Sequence, residues 1–231
     1  MKKFEKKWKE IWINKKINTK KHSIEDLIKF NGFSDHASIS KRLYKKFISK
    51  LVKKLRINKQ SDIFEFGCGT GLNLFLLKKF CKSVSGYDYS DNLIRIAQSI
   101  LKKKNISAKK KVFNNKYKKY DICIINSVFQ YISKKNIELI LNKLANITKN
   151  KIYIGDIYDA NHRKNFIKEK KKFYSNIDEY NKKYKYLNYT FIKKSFFKKY
   201  AKKSNMKIVY LKNMMEHDNK KYRYNVILNL K

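Results

Sequence analysis

Three of the six glycines in this chain fall within five residues, at Gly67, Gly69 and Gly71 in the run EFGCGTG. Before them lies the short apolar stretch Asp62-Ile63-Phe64-Glu65-Phe66, which reads as a buried strand. After them, Leu72 to Phe80 reads as a helix. Glycines in such a turn let backbone approach a ligand closely and adopt positive φ. The helix that follows offers free N–H groups to a negative or polar group.

The rest of the chain repeats this alternation. Strands are expected at Ser83 to Tyr87, Lys111-Val112-Phe113, Tyr120 to Asn126 and Lys151 to Ile154, with helices at Asp91 to Lys103 and Asn136 to Ile147. Tyr120 to Asn126 (YDICIIN) is continuous and β-branched, as central parallel strands are. Two closing strands follow, at Lys207 to Leu211 and Tyr222 to Leu230, the second alternating as an antiparallel strand does. Strand-helix alternation predicts an α/β fold: a doubly wound, mostly parallel, seven-stranded sheet. Residues 1–57 read as helical, with Phe4, Trp8, Ile11 and Trp12 at helical spacing, and form an expected N-terminal lid. Residues 58–231 form the expected core, with 160–200 as a helical cover, in a single domain.

Two carboxylates stand at strand ends. Glu65 precedes the first glycine, and Asp88 ends the next strand, 17 residues after Gly71. A carboxylate at the tip of the second strand is where nucleotide-binding α/β folds hold a ribose diol. The ordinary alternatives are a helix cap for Asp88 and a lysine partner for Glu65. The dinucleotide fingerprint G-x-G-x-x-G is not met, because Leu72 stands where its third glycine would be.

The run DIFEFGCGTGLN (62–73) instead resembles the first motif of the class I S-adenosylmethionine-dependent methyltransferases, an acidic residue followed by G-x-G-x-G. VSGYDYSDNLI (84–94) is similar to their second motif, YDICIINSVFQYI (120–132) to their fourth strand and loop, and KIYIGDIYD (151–159) to their fifth strand. The resemblance implies a Rossmann-like methyltransferase core and S-adenosylmethionine as cofactor. It implies that Glu65 and the backbone of Gly67, Cys68, Gly69 and Gly71 hold the methionine moiety, that Asp88 accepts from the ribose hydroxyls and that Tyr89 lies against adenine. Asn126, Ser127 and Val128 would line the methionine end. Where the family often has an acidic residue after the third strand, this chain has Asn114 and Asn115, and Asn115 is the expected contact to the adenine amino group.

Methyl transfer is an in-line displacement, so a general base is needed only where the acceptor must lose a proton. His36, Asp156 and His217 are the catalytic candidates, and His36, Gln130 and Arg223 the substrate-binding candidates. His162 and Asp159 lie in the same regions. Arg223 either orients an anionic or sugar acceptor or makes a structural bond to a lid carbonyl. FNGF (30–33), SVFQYI (127–132) and the tail 217–228 resemble methyltransferases of bacterial surface-glycan and secondary-metabolite clusters.

Composition enters through charge. Fifty-eight Lys plus Arg against 18 Asp plus Glu give a formal net charge of +40, and only five of the cations are Arg. Lysines run through nearly every expected helix, and the chain lacks the clustered Arg with which a dedicated phosphate-binding face grips bidentately. The charge therefore reads mainly as the product of A/T-rich codons, with nonspecific polyanion binding as its consequence. No run approaches the ~18 apolar residues of a membrane span. The start MKKFEKKWKE lacks the apolar centre of a signal peptide. Cys68, Cys81 and Cys123 match no zinc or disulfide spacing, and no metal site is expected. A cytoplasmic enzyme that methylates an O or N of a small molecule is the leading expectation. An RNA methyltransferase and a non-catalytic polyanion-binding protein on the same scaffold are the alternatives. The [DN]-P-P-[YF] of base-directed members is absent, with Asn126-Ser127-Val128-Phe129 in its place. The acceptor and the oligomeric state are left open by the sequence.

Overall fold

The computed structural model describes residues 2–15, 23–33, 39–101, 107–109, 118–172, 176–184, 187–216 and 218–231. Seven strands form one sheet: β1 (Asp62–Phe66), β2 (Ser83–Tyr87), β3 (Ser107–Lys109), β4 (Tyr120–Asn126), β5 (Thr148–Tyr158), β6 (Lys207–Lys212) and β7 (Arg223–Asn229). Their order is β3-β2-β1-β4-β5-β7-β6. The first five are parallel, and β7 runs antiparallel to both β5 and β6. The expected doubly wound sheet is thus present, closed at one edge by the antiparallel pair. The order of strand addition reverses at β1, with β2 on one side and β4 on the other, and ligands of open α/β sheets bind outside the strand ends at such a switch.

β4 has six of its seven residues buried, all but Asp121, because layers of helix cover both faces. On one face lie α3 (Lys41–Leu55), α4 (Leu72–Leu77) and α5 (Asp91–Leu101). Tyr44, Phe47, Ile48, Leu51 and Leu55 form the buried stripe of α3 at three- and four-residue intervals. The Ser40 hydroxyl caps its start, and Arg56 ends it in the left-handed region, at φ 57°. On the other face lie α6 (Lys134–Ile147), through Ile137, Leu141 and Leu144, and α9 (Lys194–Lys203), through Phe197, Tyr200 and Ala201.

Four elements complete the chain: α1 (Lys3–Asn14), α2 (Ile24–Ile28) running into a π-helical turn Lys29–Phe33, α7 (Arg163–Lys171) and α8 (Ile177–Tyr184). α1 crosses the carboxyl edge of the sheet. Its Trp12 and Ile13 carbonyls accept from Ser90 Oγ and Asn92 Nδ2 at the start of α5. Its Trp8 Nε1 donates to the Asn188 carbonyl. Among the described residues, no helix is long and apolar enough to cross a membrane.

Some boundaries differ from the sequence reading. The third strand lies at Ser107–Lys109, where Ser-Ala-Lys has no apolar pattern to betray it, and Lys111-Val112-Phe113 lies outside the described residues. β5 extends to Tyr158, since Ile157 and Tyr158 go on pairing with Tyr224 and Arg223 beyond a register shift at Asp156. α4 stops at Leu77, three residues short of the expected Phe80.

Candidate cofactor cleft

The ends of β1, β2 and β4 surround an open cleft, whose non-atom space is about 630 Å3 with open solvent included. The glycine turn forms its floor. Gly67 has φ 72°, and a Cβ there would lie 2.5 Å from Val128 Cγ2. Gly69 has φ 53°, and a Cβ there would lie 2.8 Å from Asn31 Oδ1. Both positions need glycine, for the backbone angle and for the space. The turn is tied to β2, because the Tyr87 carbonyl accepts from the Gly67 and Cys68 amides at 2.7 and 3.0 Å.

Asp88 lies beyond β2, buried, with Oδ2 accepting from the Gly69 amide and Oδ1 from the Ser90 amide, both at 2.9 Å. Burial pushes its pKa up against these backbone hydrogen bonds, and the net shift is upward. A carboxylate has about four lone-pair directions, so the amides of Gly69, Ser90 and Tyr89 leave capacity for a ligand. Asp88 therefore organises the turn and also faces the cleft; the cap of α5 is the neighbouring Ser90, whose hydroxyl takes the Leu93 amide.

Glu65, at the end of β1, is 1% exposed. Its Oε1 accepts from Asn73 Nδ2 at 2.6 Å, and Asn73 Oδ1 accepts from the Tyr44 hydroxyl at 2.7 Å. Its Oε2 is buried without a hydrogen-bond partner. Burial above all, with the nearby Asp88 charge adding and the Asn73 bond opposing, pushes its pKa up to about 8. Among the described residues no lysine pairs with Glu65, and the expected alternative of a salt bridge is replaced by this buried amide contact. A buried carboxylate oxygen with no donor is costly unless a ligand supplies one.

Glu65, Gly67, Cys68, Gly69, Asp88, Tyr89, Asn126 and Ser127 all line the cleft. Gly71 sits one turn behind, at φ 74°, starting α4. Gln130 does not line the cleft: it is 4% exposed in the short turn Phe129–Tyr131, and its neighbour Tyr131 takes the cleft position. Arg223 and Asp156 are also outside the lining. They form a buried ion pair, with Arg223 Nη2 bonded to the Tyr158 hydroxyl at 2.5 Å. The structural alternative for Arg223 is thus the observed contact, although its partner is a carboxylate on β5 and not a carbonyl of the lid. Asp159 caps the turn at Asn161, and His162 lies beside Tyr222 in a separate surface groove. His36, Asn115 and His217 lie outside the described residues.

Sequence reading missed six cleft residues: Trp12, Asn31, Tyr44, Asn73, Leu93 and Tyr131. Asn31 is tied to the glycine turn, its Oδ1 accepting from Thr70 Oγ1 at 3.2 Å. In the sequence Asn31 stands in the run FNGF (30–33), and nothing there singles out Tyr44.

Residues 64–151 match the family model of a methyltransferase domain. Among curated proteins, none matches the sequence. Solved structures share the fold at low identity. The plantazolicin methyltransferase BpumL, in complex with a triazolic desmethylPZN analog and SAH, aligns at TM-score 0.64 and 13% identity over 99% of this chain and 97% of its own. The N-methyltransferase NodS from Bradyrhizobium japonicum, with S-adenosyl-L-homocysteine, aligns at TM-score 0.59 and 12% identity over 86% and 90%. Magnesium protoporphyrin IX methyltransferase from Synechocystis, with SAH, aligns at TM-score 0.58 and 13% identity over 89% and 96%. The matched methyltransferase domain contains both strand-end carboxylates and the glycine floor between them, and with the sheet order and the shared fold this is consistent with a class I S-adenosylmethionine-dependent methyltransferase.

Proposed function

We propose that this enzyme methylates a nitrogen or oxygen of a small-molecule acceptor, with residues 1–57 as a lid over a core of residues 58–231. The observation that carries the reading is the buried, partnerless Oε2 of Glu65 beside the glycine floor. It fits the α-ammonium of a methionine moiety, which supplies both a donor and a positive charge. Asp88 then accepts from the ribose hydroxyls, and Tyr89 lies against the base. Asn126 and Ser127 line the methyl end, on the β4 side of the cleft and away from Asp88. When bound, the cofactor supplies an electrophilic methyl group on a sulfonium. The protein's task is to align a nucleophile and exclude water.

A small acceptor is favoured by how the cleft is covered. α1 is fastened at both ends, and its Trp8 packs on Tyr131 and Tyr189, with ring centroids at 4.7 and 5.2 Å. Trp12 lines the cleft beneath it. An aromatic strap of this kind suits a compact acceptor better than a polymer. The acceptors named for two of the structural neighbours, magnesium protoporphyrin IX and a plantazolicin analog, are of that kind. Thermal melting tests the reading: S-adenosylhomocysteine should raise the midpoint and NAD should not. No shift with either would remove it.

The charge of +40 supports a second reading, in which the acceptor is RNA. Specific recognition would leave an affinity that survives physiological salt. Collapse between low and physiological salt would mark the charge as nonspecific.

A further inference from the structure

On the side of the cleft facing away from Asp88, one residue at each of two neighbouring strands, β4 and β5, is strained. Ser127, just after β4, has φ 57°, and Asp156, within β5, has φ 62°. Neither is glycine, and such left-handed residues cost about 1–3 kcal/mol each and cluster at functional sites. The two are joined, with Ser127 Oγ donating to Asp156 Oδ2 at 2.8 Å.

Asp156 is 1% exposed and gathers contacts from three further residues. Arg223 Nη1, from β7, pairs with the same Oδ2, and Asn213 Nδ2 donates to Oδ1 at 3.0 Å. The Asp156 amide donates to Asn225 Oδ1 at 2.8 Å. A buried guanidinium beside it keeps Asp156 a carboxylate, and a carboxylate only accepts hydrogen bonds. The direction of the Ser127 bond is therefore forced: its single proton points at Asp156. Of the two acceptor directions on Ser127 Oγ, one is taken by Asn126 Nδ2 at 3.3 Å. One lone pair is left, on an atom of a cleft-lining residue.

We propose that Ser127 Oγ is a fixed hydrogen-bond acceptor at the methyl end of the cleft, selecting a methyl acceptor whose reacting nitrogen or oxygen still carries hydrogen. Asp156 and Arg223 are positioning residues for it. The inference rests on the methyltransferase reading of the cleft and adds the class of acceptor to it: an amine or an alcohol. A nucleophile without hydrogen meets a lone pair there and gains nothing. The N–H or O–H contact orients the nucleophile's own lone pair. Arg223, spent on Asp156, thus acts on the acceptor through two other residues and touches no anion itself.

Two ligands separate this from a merely structural role. S-adenosylhomocysteine has no group at the methyl position, whereas sinefungin carries an amine there in place of the S-methyl. Calorimetric affinities of both are measured for the wild type and for Ser127→Gly, which suits the left-handed backbone and removes the hydroxymethyl side chain. Ser127→Gly should weaken sinefungin about tenfold, a hydrogen bond to a charged group, and leave S-adenosylhomocysteine within about twofold. Replacing the ion pair as a unit, by Asp156→Leu with Arg223→Met, frees the Ser127 proton to turn toward the cleft. That variant should lower the same ratio. Equal losses for both ligands in Ser127→Gly, or no loss for either, would overturn the role of Ser127. Failure of the wild type to bind S-adenosylhomocysteine would overturn the underlying cofactor reading, and this proposal with it.

Discussion

The Glu5 carboxylate of α1 accepts a 2.7 Å hydrogen bond from the amide of Ser133, the residue that begins α6. Asn136 Nδ2 donates to the same oxygen at 2.8 Å. Ser133 makes no side-chain cap of its own, so the N-terminus of α6 is capped by a residue 128 positions earlier. One contact thus closes a helix end and pins the strap over the cleft.

Glu5→Ala should cost about 1–2 kcal/mol, the range of a lost helix cap, read by urea unfolding at neutral pH. Burial raises the Glu5 pKa, but hydrogen bonds from Ser133, Lys2 and Asn136 outweigh it, and the net shift is below 4.5. A depressed carboxyl pKa adds stability above the unfolded value, and that stability is lost as pH falls through the folded value. The gap between wild type and Glu5→Ala should therefore narrow in acid. A gap that widens there would contradict the capping role.

Glu65 gives the opposite sign. Its pKa is raised from 4.5 to about 8, so between those values the unfolded chain has released a proton that the folded chain retains. Its contribution to stability should fall as pH rises through that interval and level off above it. Glu65→Gln should remove this slope. Ligand binding should reverse the retention, since an ammonium beside Oε2 favours the carboxylate. At pH 7, S-adenosylhomocysteine binding should release close to one proton, seen as a heat that changes with buffer ionisation enthalpy. No buffer dependence in the wild type would argue against an ionic contact to Glu65.

Gly67→Ala should be damaging for two separable reasons, a left-handed φ of 72° and the 2.5 Å approach to Val128. The backbone penalty alone is about 1–2 kcal/mol. Adding Val128→Ala should recover the steric part and leave the backbone part, with both measured by chemical denaturation. Full recovery would mean that the left-handed angle is not a constraint.

Arg223→Met leaves the Asp156 carboxylate buried without its counter-ion and should cost about 3–5 kcal/mol. Asp156→Leu added to it should restore much of that loss, because removing both charges also removes the desolvation penalty. A double variant no more stable than Arg223→Met would show that the ion pair is not the source of the cost.

What the sequence made legible follows from how local each signal is. β1 and β4 are mostly apolar runs, and the glycines interrupt a Lys- and Asn-rich background, so the glycine turn could be read without coordinates. Glu65 and Asp88 stood at strand ends and do face the cleft. The contacts that escaped join residues distant in sequence: Glu5 with Ser133, Asn31 with Thr70, and Tyr44 with Asn73. Arg223 was conspicuous as a rare arginine, but its meaning depended on the β5–β7 register, which sets it opposite Tyr158 and near Asp156. β3 escaped because three residues of Ser-Ala-Lys carry no periodicity.

The central claim is that the cleft between Glu65 and Asp88 holds S-adenosylmethionine or its product. Calorimetric titration of S-adenosylhomocysteine into the wild type and Asp88→Ala tests it most directly. Saturable binding is expected in the wild type, weakened at least about tenfold, or 1.4 kcal/mol, in the variant. Absence of binding to the wild type, or equal affinity in the two, would contradict it.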